Sequence, residues 1–126
     1  MNVVDSSGWL EYFADGPNAA FFAPAIEDPD ALLVPSLSLF EVFKKVFQER
    51  GESEALGAIA IMKLGRVVLL DDATALAAAH LSVDLGLPMA DSIMLATARD
   101  REATFWTQDA DFRDMEDVQY AERKAG

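Results

Sequence analysis

The chain has 126 residues, 52% of them hydrophobic and 25% charged. That is the size and composition of one soluble globular domain, since two cores in this length would each be too small to hold without staples. It has no cysteine, which excludes disulfide frameworks, thiolate zinc sites and cysteine nucleophiles. Ten Lys and Arg against 22 Asp and Glu give a net charge of −12. Such a balance opposes non-specific binding to nucleic acid unless local carboxylates hold a divalent cation that reverses the sign at one site. No apolar run is long enough to span a bilayer, and Met1-Asn2-Val3-Val4-Asp5 carries no basic segment ahead of an apolar stretch. The expectation is a cytoplasmic protein without a signal peptide or membrane contact. A mean hydropathy of +0.12 suggests that some surface is covered by another subunit or a partner.

Taken in chain order, Val3-Val4 reads as a short buried strand ending at Asp5. A helix from Ser6-Ser7-Gly8 carries Trp9, Leu10 and Phe13 and closes at Asp15-Gly16-Pro17. A second helix holds Phe21, Phe22 and Ile26, and Leu32-Leu33-Val34 is a brief strand stopped by Pro35. Ser36 is a cap for a helix reaching about Arg50, whose Phe40, Phe43 and Phe47 suggest a buried stripe. Residues 52–64 read as a helix closed by Gly65, and 66–70 as a valine- and leucine-rich strand. Asp71 or Asp72 caps an alanine-rich helix to Leu85, closed by Gly86. Pro88 opens a helix to about Glu102, Thr104-Phe105-Trp106-Thr107 is a strand, and Val118-Gln119-Tyr120 a last one. The end, 122–126, is expected to fray. Strands alternating with helices predict an α/β fold over the single domain 1–126: a three-layer α/β/α sandwich with a mainly parallel sheet of four or five short strands.

In such sheets the cleft lies beyond the carboxyl ends of the strands, so acids at those ends come first. Asp5 directly follows the first strand, and Asp109 follows the strand ending at Trp106-Thr107. Asp is also a good turn residue, and position alone leaves both readings standing. Asp91 sits in the first turn of a helix, where it either answers the helix dipole or aims into the cleft. Glu41 has Lys44 and Lys45 three and four positions on, the pattern of a solvated helix face opposite the Phe stripe. It joins a site only if that face lines the cleft. Carboxylates converging in this way would repel one another unless a cation neutralised them, and all-oxygen ligands suit Mg²⁺ or Mn²⁺. The lone His80 lies in an alanine-rich helix and is assigned no chemistry.

Four segments then occur in an order that resembles the PIN-domain ribonucleases, and within them the VapC toxins of bacterial type II toxin–antitoxin pairs. They are Val3-Val4-Asp5-Ser6-Ser7, Leu39-Phe40-Glu41-Val42-Phe43-Lys44-Lys45, Gly86-Leu87-Pro88-Met89-Ala90-Asp91-Ser92 and Thr107-Gln108-Asp109-Ala110-Asp111-Phe112. The likeness runs nearly end to end. The resemblance implies that Asp5, Glu41, Asp91 and Asp109 form an acidic metal site, with Ser6 and Thr107 as assisting hydroxyls and Asp111 in reserve for Asp109. It further implies Mg²⁺- or Mn²⁺-dependent endonucleolytic cleavage of RNA, a homodimer, and inhibition by a small VapB-like antitoxin. Lys44, Lys45, Arg99 and Arg101, on the helices carrying Glu41 and Asp91, are candidates to guide the RNA, although each also reads as ordinary solvated charge. Trp9, Phe13, Phe21 and Phe22 fall at helical spacing and read as core or interface rather than a base-stacking platform.

Two alternatives come from other classes. A receiver-like signalling module would share the length, fold class and charge, but needs an acidic pair after the first strand and a lysine after the last. Asp5 is followed by Ser6, and Thr107-Gln108 supplies no lysine. A non-catalytic interaction domain would keep the fold and bind a partner through its aromatic surface.

Overall fold

Side chains along each strand point alternately to opposite faces, and the strands here use both faces for apolar residues. Val3, Leu33 and Phe105 enter one core, whereas Val4, Leu32 and Val34 enter the other. A sheet built this way is stable only with helices on both sides. The computed structural model, which describes residues 1–125, has that three-layer arrangement. Gly126, part of the end expected to fray, lies outside the described residues.

The strands are β1 (Asn2–Val4), β2 (Leu32–Pro35), β3 (Arg66–Val68), β4 (Thr104–Thr107) and β5 (Val118–Tyr120). They form one sheet in the order β3-β2-β1-β4-β5, every pair parallel. Connecting them are α1 (Ser6–Phe13), α2 (Ala19–Ile26), α3 (Ser36–Arg50), α4 (Glu52–Met62), α5 (Asp72–Leu85) and α6 (Met89–Asp100). One core packs Trp9, Phe22, Val42, Val46, Ala55 and Met62 from α1 to α4 against the sheet. The other packs Met94, Leu95 and Ala98 of α6 with Leu87, Phe105 and Phe112. Each fully buried valine, leucine, phenylalanine or methionine among them stabilises the fold by about 1.5–3 kcal/mol. Strand order reverses direction between β1 and β4, which neighbour each other at the centre; a cleft opens at such a switch point.

Local chemistry explains most boundaries. Asp71 caps α5, its side chain accepting the Thr74 N–H at 2.8 Å. Gly86 ends α5 at φ +67°, a left-handed conformation that glycine adopts without steric cost. Gly8 is needed for a different reason: a Cβ there would stand 2.6 Å from the Phe22 ring and 2.8 Å from a Val4 methyl. That absence of a side chain lets α1 press onto β1 and α2.

Three expectations need correction. Ser36 is the first helical residue of α3 rather than its cap; Pro35 holds the cap position without a side-chain hydrogen bond. The third strand stops at Val68, because its register with β2 ends at Pro35; Leu69 and Leu70 are exposed in spite of their strand propensity. Most consequentially, the Phe stripe of α3 is not its buried face. Ser38, Val42 and Val46 are buried, whereas Phe40 is 62% exposed and Phe47 is 48% exposed. Both stripes have helical spacing. The crossing with α4 at Ala55 and Ala58 selects the smaller valines for the core.

Candidate metal-dependent active site

Asp5 leaves the end of β1 with its N–H bonded to the Trp106 carbonyl at 2.9 Å, tying the ends of the two central strands together. The side chain is buried, and Oδ2 accepts from the Thr107 hydroxyl at 2.9 Å and from Ser7 Oγ at 3.3 Å. Burial pushes the Asp5 carboxyl above its usual range; the Thr107 hydroxyl opposes this and the charge of Asp109 reinforces it. Thr107 Oγ1 also accepts the Asp109 N–H at 3.0 Å, so one buried hydroxyl places two carboxylates. Asp109 Oδ1 accepts the Asp111 N–H at 3.0 Å, capping the short 3-10 turn Ala110–Phe112 that buried Phe112 anchors.

Asp91 reaches the same place from the first turn of α6. Oxygens of Asp91, Asp109 and Asp111 all lie within 4.8 Å of one another. The Asp91 carboxyl is pushed up to about 7, first by burial and then by the charges of Asp5, Asp109, Glu41 and Asp111. Glu41 belongs to this group as well. Its Oε1 accepts from the buried Ser6 hydroxyl at 2.9 Å, so its face of α3 is not simply solvated. The alternative pairing of Glu41 with Lys45 does not form, since Lys45 Nζ bridges Glu49 at 3.1 Å instead. Asp5, Glu41, Asp91 and Asp109 line one cleft of about 460 Å³.

Asp109 and Asp111 are thus not exclusive choices, because both stand in the tightest trio with Asp91. Of the cations, Lys44 and Lys45 line the cleft. Arg99 is held away from it, its Nε 2.9 Å from Asp117, and Arg101 lies 3.6 Å from Asp100 at the far end of α6. His80 is exposed on α5. Three further polar residues, one lining the cleft and two buried outside its lining, carry little sequence signal. Asn18, in a loop, bonds Gln108 Oε1 at 3.0 Å, and Arg123, from the end expected to fray, lines the cleft. Only Gln108, between Thr107 and Asp109, sits inside a segment that drew attention.

Oxygen donors with no sulfur or imidazole suit a hard divalent cation. A half-buried carboxyl pushed up to about 7 by burial first and then by four acidic neighbours marks negative charge that the protein itself does not neutralise. The residues therefore fit Mg²⁺ or Mn²⁺, with Asp91, Asp109 and Asp111 as the donors nearest one another and Asp5 and Glu41 on the same cleft.

No curated protein matches the sequence, but solved structures share the fold. A toxin–antitoxin complex from Klebsiella pneumoniae aligns with a TM-score of 0.80 at 18% identity, covering 94% of this chain and 96% of that one. VapC20 of Mycobacterium tuberculosis, a sarcin-ricin loop cleaving toxin, aligns at 0.75 and 18%, covering 92% and 95%. FitAcB from Neisseria gonorrhoeae aligns at 0.71 and 19%, covering 95% and 96%. At such identities the likeness is one of fold. The family model of the PIN domain matches residues 3–118, a span that holds β4, all but the first residue of β1 and every acid of the cleft, and the chain belongs to that family.

Proposed function

We propose that the chain is the toxin of a type II toxin–antitoxin pair, a VapC-like endoribonuclease dependent on Mg²⁺ or Mn²⁺. The observation that carries this reading is the convergence of five acids from four separate segments on the switch point of the sheet, with Asp91 pushed up to about 7 among them. A bound divalent ion supplies an activated water and stabilises the charge that develops on a phosphodiester under attack. The chain's own residues prepare that chemistry. Asp91, Asp109 and Asp111 present closely spaced oxygens, with Asp5 and Glu41 completing the donor set. Thr107 and Ser7 orient Asp5, and Ser6 orients Glu41. Lys44 and Lys45 offer positive charge to the RNA at the rim, a role the positions of Arg99 and Arg101 do not favour.

The partners follow from the surface. An apolar groove of about 480 Å³ between α3 and α4, lined by Leu39, Phe40, Phe43, Phe47 and Ile59, suits the apolar side of a VapB-like antitoxin segment. The net charge of −12 favours encounter with a basic one. On α5 the exposed Leu76 and Val83 are available to a second copy in a homodimer. Among the described residues no single helix is long and apolar enough to cross a membrane; the ribonuclease reading itself puts the action on RNA in the cytoplasm. Purified protein incubated with RNA should cleave it with Mn²⁺ or Mg²⁺ and not with EDTA, and Asp5→Asn should be inert. Equal cleavage by Asp5→Asn would remove the mechanism.

A further inference from the structure

Beyond β5 the chain does not drift away but crosses beside the acidic cleft as a strap, residues 121–124. Two hydrogen bonds pin it. The Ala121 N–H donates to the Thr107 carbonyl at 3.1 Å, and Asn18 Nδ2 donates to the Glu122 carbonyl at 3.0 Å. Asn18 is only 2% exposed and donates its other N–H to Gln108 Oε1 at 3.0 Å; Gln108, 3% exposed, reaches the Ser7 carbonyl at 3.4 Å. Two buried amides are thus committed to holding this segment, and groups so buried are costly unless fully bonded. Thr107 anchors the strap through its carbonyl while its hydroxyl bonds Asp5 and Asp109. Strap and carboxylates therefore share one fixed point.

The strap brings Arg123 to the cleft that holds Asp5, Glu41, Asp91 and Asp109. The other cations there are Lys44, 5.8 Å from the centre of the Phe40 ring, and Lys45, paired with Glu49. Arg123 enters no ion pair among the described residues. That argues against a plug, because a guanidinium blocking the site would sit on one of its carboxylates. It is a free, permanently charged fork on a tethered segment, the geometry that suits bidentate binding of phosphate at low entropic cost.

Resting on the ribonuclease reading, we propose that Arg123 is a positioning residue that holds a backbone phosphate of single-stranded RNA beside the bond presented to the carboxylates. The test follows binding of a fluorescent single-stranded RNA oligonucleotide by anisotropy, in Mg²⁺, on an Asp5→Asn background that does not cut. Titrations run from about 50 to about 200 mM NaCl. Arg123→Ala should weaken binding about fivefold and reduce the slope of log K against log salt by about 0.7, the loss of one phosphate contact to a single strand. Arg123→Lys should keep the slope. Lys63→Ala, beyond the cleft at the end of α4, should change neither quantity. In the cutting protein, Arg123→Ala should raise KM with kcat nearly unchanged. An unaltered slope and KM in Arg123→Ala, with the parent still binding and cutting RNA, overturns the role of the strap and leaves the ribonuclease standing. A parent that neither binds nor cuts RNA overturns both.

Discussion

The burial and charge crowding of Asp91 make a prediction about stability that needs no substrate. In metal-free protein the carboxyl is raised from 3.8 to about 7. At about 1.4 kcal/mol per unit, a shift of this size corresponds to roughly 4 kcal/mol against the ionised, folded form. The group is partly open to solvent, so screening reduces this to about 2 kcal/mol. The dipole of α6 favours the anion and removes up to about 1 kcal/mol more. Asp91→Asn should therefore stabilise metal-free protein by about 1–2 kcal/mol at pH 8, or roughly 4–8 °C in Tm for a chain of this size. The sign of the pH dependence follows from linkage. Between pH 4 and 7 the folded state binds more protons at Asp91 than the unfolded state, so wild-type stability falls as pH rises through this window and levels off above it. The advantage of Asp91→Asn should shrink accordingly from pH 7 toward pH 4. Thermal melts of both proteins in EDTA across that range provide the measurement. With saturating Mn²⁺ at pH 8 the order should reverse, because ligation adds about 2.7 kcal/mol to wild type at one hundred times the dissociation constant. A variant less stable than wild type in EDTA at pH 8, or a difference that ignores pH, would refute the argument that uncompensated charge gathers at Asp91.

Other expectations concern single contacts. Thr107→Val removes the hydroxyl that bonds both Asp5 and Asp109 and should cost about 1–3 kcal/mol in a urea melt; RNA cleavage should fall at least tenfold, and an undiminished kcat would separate the hydroxyl from the chemistry. Gly8→Ala places a methyl against Phe22 and Val4 and should destabilise by about 1–3 kcal/mol through overpacking, read by the same melt. Phe47→Asp, at an exposed position lining the apolar groove, should leave the unfolding free energy of the isolated chain within about 0.5 kcal/mol of wild type. Against a co-expressed VapB-like antitoxin of the proposed pair it should abolish co-purification, and retained co-purification would move the proposed docking surface elsewhere.

Alternation and punctuation in the amino-acid order determined the layers of this protein. Val3-Val4, Leu32-Leu33-Val34 and Phe105-Trp106 each send side chains to both faces, a local property that needs no knowledge of what lies opposite. Asp71 and Gly86 ended their helix by equally local chemistry. The acids at strand ends were legible for the same reason, since a parallel sheet places every strand's carboxyl end on one side. Which face of α3 is buried was decided only when α4 packed against it, because Phe40, Phe43, Phe47 and Ser38, Val42, Val46 are both helical stripes and periodicity cannot rank them. Glu41 turned into the cleft for a related reason: the buried Ser6 hydroxyl comes from a distant helix, and no spacing on α3 encodes it. The strap carrying Arg123 depends on Asn18, brought across from the far end of the chain. Contacts between segments remote in sequence exist only once the sheet has ordered them, and in this protein those contacts arrange the charges on which the proposed chemistry rests.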